Sequence, residues 1–262
     1  MPAPPVATRV AVLVLLLLAA GLGRAGASDP DALWKIVHER CVPDQIAHDD
    51  PAPCAKVVLT PDEAKGWVVL KDRDGAEQFL VIPTAKITGI EDRAILAPDA
   101  TNYFRAAWAA RGDMLAKLGR DLPRDDISLA INSPFGRSQN QLHIHIDCIR
   151  ADVRDVLRAR QAEIGQHWAP LGTTLAGHPY SARRIDDADL DAANPFWLLA
   201  AEEGIGAAGI GEHTLVVVGA SFADGHDGFV ALDDHYDAAS GDRASGEELQ
   251  DHGCGLAPAP AR

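Results

Sequence analysis

Residues 141–148 read Gln-Leu-His-Ile-His-Ile-Asp-Cys, polar and apolar in strict alternation. A β-strand sends successive side chains to opposite faces, so Gln141, His143, His145 and Asp147 should share one face. Leu142, Ile144, Ile146 and Cys148 take the other. The apolar set is what a sheet buries against a helix, whereas the polar set is too rich in special chemistry to be casual solvent cover. The segment therefore asks for a sheet packed on one side and functional on the other.

The neighbouring sequence supplies such elements. Residues 101–118 place Phe104, Ala107, Trp108, Leu115 and Leu118 on one helical stripe, and Gly112 inside it costs about 1 kcal/mol relative to alanine. Residues 127–131 predict a strand, 132–140 a polar loop and 142–146 the next strand. Earlier, residues 67–70 and 78–82 flank the turn Asp72-Arg73-Asp74-Gly75 and predict a hairpin that Pro83 ends. Ser28-Asp29-Pro30 offers a cap and first turn for a helix over 30–41. Val153, Val156, Leu157, Arg160 and Ile164 predict another helix, with Asp152 as its cap. Beyond Pro170 the signals weaken to a helix over 195–203, a hairpin of 213–219 with 228–232, and a Pro/Ala-rich tail after Gly253 expected to fray. No repeat or long linker divides the chain, so residues 28–262 read as one domain. Strands and helices without regular βα alternation predict an α+β fold: a mainly antiparallel sheet with flanking helices and an elaborated C-terminal third.

Residues 10–23 are uncharged and apolar, lie between Arg9 and Arg24, and precede Ala25-Gly26-Ala27. Residues 1–27 thus read as a signal peptide or an N-terminal membrane anchor. An exported chain with four cysteines suggests two disulfides. Cys41 and Cys54 are close in sequence within a loop-like stretch, which pairs them and leaves Cys148 with Cys254. The formal charge is -14, and loss of Arg9 and Arg24 with the first segment takes the rest to -16. With no basic run, a sequence-independent nucleic-acid binder is excluded. A small anionic substrate is not, since a few arginines and backbone amides make a site locally positive.

Two histidines at i and i+2 on a strand support a metal pair completed by other ligands, a nucleophile and acid acting on phosphorus, or plain surface. The phosphorus chemistry also needs donors for the phosphoryl oxygens, and the preceding loop offers Asn132, Gly136, Arg137, Ser138 and then Gln141. Lys71 and Lys86 are further candidates for neutralising phosphate, against the simpler reading of solvated lysines. Trp67, Phe79, Trp108, Trp168 and Trp197 fit a core better than a base-stacking site. Arg150, Arg154 and Arg158 could form a basic stripe toward anionic headgroups, without acids at i,i+4 to pair with.

The stretch resembles the signature of the histidine triad superfamily, in which alternating histidines follow a Gly-x-Ser loop. More closely, the chain resembles the bacterial CDP-diacylglycerol pyrophosphatases, through Leu33-Trp-Lys-Ile-Val, Gly66-Trp-Val-Val-Leu-Lys-Asp, Leu129-Ala-Ile-Asn-Ser, Gln139-Asn, His143-Ile-His145-Ile, Cys148-Ile-Arg, Asp152-Val-Arg, Pro195-Phe, Ala201-Glu-Glu and the Asp251-His-x-Cys254 ending. The resemblance implies a histidine-triad-like fold and hydrolysis of the diphosphate bond of CDP-diacylglycerol to CMP and phosphatidate at the periplasmic face of the inner membrane. It places His143 as nucleophile and His145 as proton donor, with Asn132, Gly136 and Ser138 around the phosphate. It implies no metal or other cofactor, no nucleic acid and no obligate protein partner; the partners are the nucleotide diphosphate substrate and a membrane surface. Gln141 departs from the pattern, standing where the superfamily has its first histidine. Glutamine can still orient a neighbouring imidazole but cannot titrate near neutrality. A broader nucleotide pyrophosphatase or nucleotidyl transferase is the nearest alternative, and an exported metal-binding module carrying His-x-His the more distant one.

Overall fold

The computed structural model describes Met1 and residues 29–202 and 204–256. The signal or anchor assigned to residues 1–27 and the last residues of the tail lie outside them. Among the described residues no helix is long and apolar enough to cross a membrane.

The strands are β1 Lys56–Val58, β2 Trp67–Lys71, β3 Phe79–Pro83, β4 Ile127–Ile131, β5 Ile144–Ile149, β6 Ala169–Leu175, β7 His178–Ile185, β8 His213–Ser221, β9 Asp227–His235 and β10 Gln250–Asp251. They form a single ten-stranded sheet in the order β1-β2-β3-β5-β4-β8-β9-β7-β6, with β10 added against β5. Every ladder is antiparallel. The helices are α1 Ala32–Ile36, α2 Val42–His48, α3 Tyr103–Leu118, α4 Ala151–Arg160, α5 Pro195–Ala200 and α6 Gly206–Gly209. This is the expected α+β architecture with an elaborated C-terminal third.

The alternation around the two histidines works as a packing instruction. Ile144 and Ile146 of β5, with Ile127, Leu129 and Ile131 of β4 and Leu215 and Val217 of β8, meet Phe104, Trp108 and Met114 of α3. Each such side chain removed from water contributes roughly 1.5–3 kcal/mol. Asn102 caps α3 through its side chain, and Gly119 ends it in the left-handed conformation. The opposite face of the sheet carries two apolar clusters. At one end Val68, Leu70, Leu80 and Ile82 pack beneath the N-terminal helix. At the other Val216, Val218, Val230 and Leu232 pack with Ile149, Val153 and Leu157. Strand β5 lies between them.

Several expectations need correction. The first helix starts at Ala32 after Asp31, and it continues through a π-helical turn, Val37–Cys41, into α2. Half of the expected loop between Cys41 and Cys54 is therefore helical, Pro43 following directly on the π-helical turn. Arg150 rather than Asp152 occupies the cap of α4, and the two pair with each other. The basic stripe is neutralised: Arg154 meets Asp126 and Asp155, and Arg158 meets Asp125. The β6–β7 hairpin was hidden in sequence, since His178–Ile185 sets His178, Ser181, Arg183, Arg184 and a proline among few apolar positions. The tail packs as far as Leu256, whose carbonyl and that of Cys254 accept from Arg120. Trp197 stands exposed rather than in the core, donating its indole N–H to the Ile95 carbonyl.

Both disulfides form as paired from the sequence, Cys41 with Cys54 and Cys148 with Cys254. The first ties the π-helical turn before α2 to the edge of the sheet across a separation of 13 residues. Replacing Cys41 and Cys54 by alanine should cost about 3 kcal/mol of unfolding free energy, measured by urea denaturation under oxidising conditions.

Candidate active site

A cavity of about 530 Å³ opens on the sheet face opposite α3. Its lining combines Leu33, Ile36 and Arg40 from the N-terminal helix, Leu70, Lys71 and Asp72 from β2 and its turn, and Leu80 from β3. Asn132, Gly136, Arg137 and Ser138 come from the loop before β5, His143 and His145 from β5 and its approach, and Arg243 and Glu247 from the C-terminal segment. The side-chain amide of Gln139 bonds to the backbone of Asp29 and Leu33, and Asn140 N–H to Pro30. The loop and the N-terminal helix thus close the cavity together.

The two imidazoles lie with ring centroids 4.8 Å apart and are 8% and 4% exposed. His143 Nδ1 lies 2.6 Å from the Gln141 carbonyl oxygen. A carbonyl only accepts, so the proton sits on Nδ1 and the Nε2 lone pair is free. His145 Nδ1 lies 2.7 Å from the Gln78 amide nitrogen and 3.1 Å from Glu247 Oε1, with Asp72 Oδ2 at 3.8 Å. Its Nε2 has no hydrogen-bond partner. Burial lowers the proton affinity of His143, opposed by its bond to Gln141 and by the Glu247 and Asp72 carboxylates. Burial also holds His145 well below the ordinary histidine value, and the neighbouring His143 and His252 add to it. In the free protein both rings are neutral at pH 7.

The other sequence candidates fall unevenly. Ser138 is exposed at the cavity with its hydroxyl unengaged. Gly136 permits a close approach of protein to protein: a Cβ there would sit 3.1 Å from the Ala244 carbonyl. Asn132 is buried, and its amide nitrogen donates to Glu247 while its oxygen accepts from Ser245 and Glu247. Arg137 is held bidentate by Glu91 at 2.6 Å on both nitrogens, so its charge is already answered within the protein. Gln141 is fully buried and does not line the cavity; its side chain donates to the carbonyls of Pro83 and Ala85. It is the main chain of Gln141, not its amide, that meets His143. Lys71 lines the cavity and donates to two turn carbonyls, whereas Lys86 pairs with Asp31 outside it.

The family model described as CDH, CDP-diacylglycerol pyrophosphatase, matches residues 28–258. A Yersinia pestis protein named CDP-diacylglycerol pyrophosphatase is 43% identical over 248 residues, which are 94% of this chain and 93% of that one. This chain belongs to the CDP-diacylglycerol pyrophosphatase family. Within the family frame the residue that sequence reasoning missed is Glu247. It stands 102 positions beyond His145 in an acidic surface-like run, and only the fold returns it to the strand. The signal that could have flagged it is Gly246, where a Cβ would sit 2.7 Å from Val216 and 2.8 Å from Thr214. That close approach lays the segment flat on the sheet and aims Glu247 at the histidines.

Two consequences can be measured. A nucleophilic His143 must be unprotonated, and burial sets its proton affinity below the ordinary value of 6.5. The acid limb of kcat/KM should therefore fall below pH 6.5, and a limb above it would count against a buried nucleophile. Glu247→Gln removes a charge that raises the His143 proton affinity, so the limb should move lower still, with kcat down about 10- to 100-fold.

Proposed function

We propose that the protein hydrolyses the diphosphate bond of CDP-diacylglycerol, giving CMP and phosphatidate, with His143 as nucleophile. The observation that carries this reading is the Nδ1–H bond from His143 to the Gln141 carbonyl, which leaves a neutral Nε2 facing a cavity lined by arginines. Nε2 attacks the cytidine-side phosphorus, the bond from that phosphorus to the bridging oxygen breaks, and phosphatidate leaves. Water then attacks the phosphohistidine and releases CMP, returning the imidazole to its starting state. His145 is the proton donor to the bridging oxygen. Arrival of an anionic diphosphate beside it raises its proton affinity; once the Gln78 amide turns its unpartnered oxygen toward Nδ1, the imidazolium holds Nδ1–H between that oxygen and Glu247 Oε1, and Nε2–H is left for the leaving oxygen. Arg40 and Arg243 have no carboxylate partner among the described residues and supply charge to the phosphates, with the Ser138 hydroxyl beside them.

The apolar part of the cavity lining supports a lipid substrate. Leu33 and Ile36 face Pro53, Leu70 and Leu80 in one apolar flank, directly beyond the N-terminal segment that would hold the protein at a bilayer. The paired disulfides support export to an oxidising compartment. At -16, the exported part is repelled from an anionic bilayer within a Debye length of about 8 Å, so retention of residues 1–27 as an anchor on the periplasmic side fits better than release.

Incubation with CDP-diacylglycerol should yield equimolar CMP and phosphatidate, and rapid quenching should capture a CMP-protein adduct on His143. A phosphatidate burst persisting in His143→Ala would refute the nucleophile assignment. Ile36→Glu should cut kcat/KM about 10- to 100-fold for long-chain CDP-diacylglycerol and much less for a CDP compound lacking acyl chains. Equal losses on both would remove the apolar flank from the lipid site.

A further inference from the structure

Behind the turn that carries Glu247, a second group of titratable side chains serves no step of the reaction. His178 opens β7, Asp234 lies near the end of β9, and Asp242 follows in the turn that bridges back to Asp237. One donor atom from each lies within 4.8 Å of the others. Asp242 Oδ1 accepts from Ala244 N–H at 2.8 Å and Asp234 Oδ1 from His235 N–H at 2.8 Å, so each aspartate is fixed by one oxygen. The second oxygen of Asp242 stands 3.6 Å from His178 Nδ1. The second oxygen of Asp234 is buried with no hydrogen-bond partner, in a residue only 2% exposed.

Glu248 completes the surroundings. Both its oxygens lie 2.9 Å from His178 Nδ1, and Oε1 accepts from the Tyr180 hydroxyl at 2.7 Å. Among the described residues no lysine or arginine pairs with Asp234, Asp242 or Glu248. Arg150 donates to the Glu248 carbonyl and spends its guanidinium on Asp152. Three carboxylates therefore converge on one imidazole, two of them on residues that are almost wholly buried.

We propose that His178, Asp234 and Asp242 form a divalent-cation site, with Glu248 as an adjoining carboxylate. Mixed imidazole and carboxylate donors suit a transition ion such as zinc or manganese, bound at about 2.0–2.2 Å from each atom. Donor atoms spaced as these are leave room for such an ion at their centre. His178, about a third exposed along its side chain, gives the entry path. The ion would displace the proton from His178 Nδ1 and answer the charge of the aspartates. It would clamp β7 and β9 to the segment 242–249, whose other side presents Arg243 and Glu247 to the cavity. The remaining candidate cluster, Asp147 with Cys148 and Cys254, is ruled out because its sulfurs are joined in a disulfide.

Equilibrium dialysis of the full chain in detergent against zinc or manganese, after chelator treatment, tests the site. The wild type and His143→Ala should each retain one ion per chain, while Asp234→Asn and Asp242→Asn should bind at least tenfold more weakly. Saturating ion should raise Tm by about 5 °C in the wild type and not in Asp234→Asn. Should an aspartate variant fail to fold, His178→Gln at the more exposed position gives the same comparison. Absence of uptake at about 100 µM ion, uptake unchanged in Asp242→Asn and His178→Gln, or loss of the ion in His143→Ala would overturn the proposal.

Discussion

Desolvation of the two imidazoles is the constraint on which the rest of this structure turns. Placing His143 and His145 at 8% and 4% exposure makes a charge on either ring costly, and the surroundings are built around that cost. For His143 the solution is a neutral ring with its proton parked on a backbone carbonyl. For His145 it is a ring whose Nδ1 is offered a carboxylate at 3.1 Å, so that the charged form becomes accessible once an anion is near. On the mechanism proposed above, the same burial biases one ring toward attack and holds the other ready for protonation. This division would be lost on an exposed strand, where both rings would titrate alike.

The charge of the whole molecule runs against its substrate, and the cavity resolves the conflict locally. Asp72 and Glu247 stand beside the histidines, while Arg40, Arg73, Arg137 and Arg243 line the same cavity. Of these, Arg40 and Arg243 have no carboxylate partner among the described residues, so local positive charge is available within an acidic chain. An apolar flank, with Leu33 and Ile36 of the N-terminal helix against Leu70 and Leu80, completes the lining.

The alternation of residues 141–148 made the core legible, because the Ile144 and Ile146 face had to meet an amphipathic helix and the 101–118 stripe was the strongest one available. The first hairpin and both disulfide pairings were readable for similarly local reasons. Register was less so: β5 begins at Ile144, and Gln141 lies before the ladder with its side chain bonded to two carbonyls. Strand periodicity assigns faces, but it does not say where a ladder starts. The β6–β7 hairpin escaped because polar residues on an edge strand answer to solvent rather than to a core. In the site, the loop residues Gly136, Arg137 and Ser138 were found near the cavity, yet Arg137 and Asn132 turned out to be engaged by Glu91 and Glu247. A motif identifies which residues gather, not which of their polar atoms remain free.

Glu247 shows how the C-terminal third contributes to the cavity rather than decorating the fold. Asp72 reaches His145 from the turn after β2, and the second, closer carboxylate comes from the far end of the chain. β10 brings it there by pairing with β5 through Gln250 and Asp251, immediately after the turn that holds Glu247. The Cys148–Cys254 bond fastens this strand to β5 a few residues later. His252 and the buried Asp147 add a further tie at 2.6 Å. The fixings around β10 therefore act on the distance between Glu247 and His145, which makes the disulfide in the exported chain a determinant of site geometry as well as of stability.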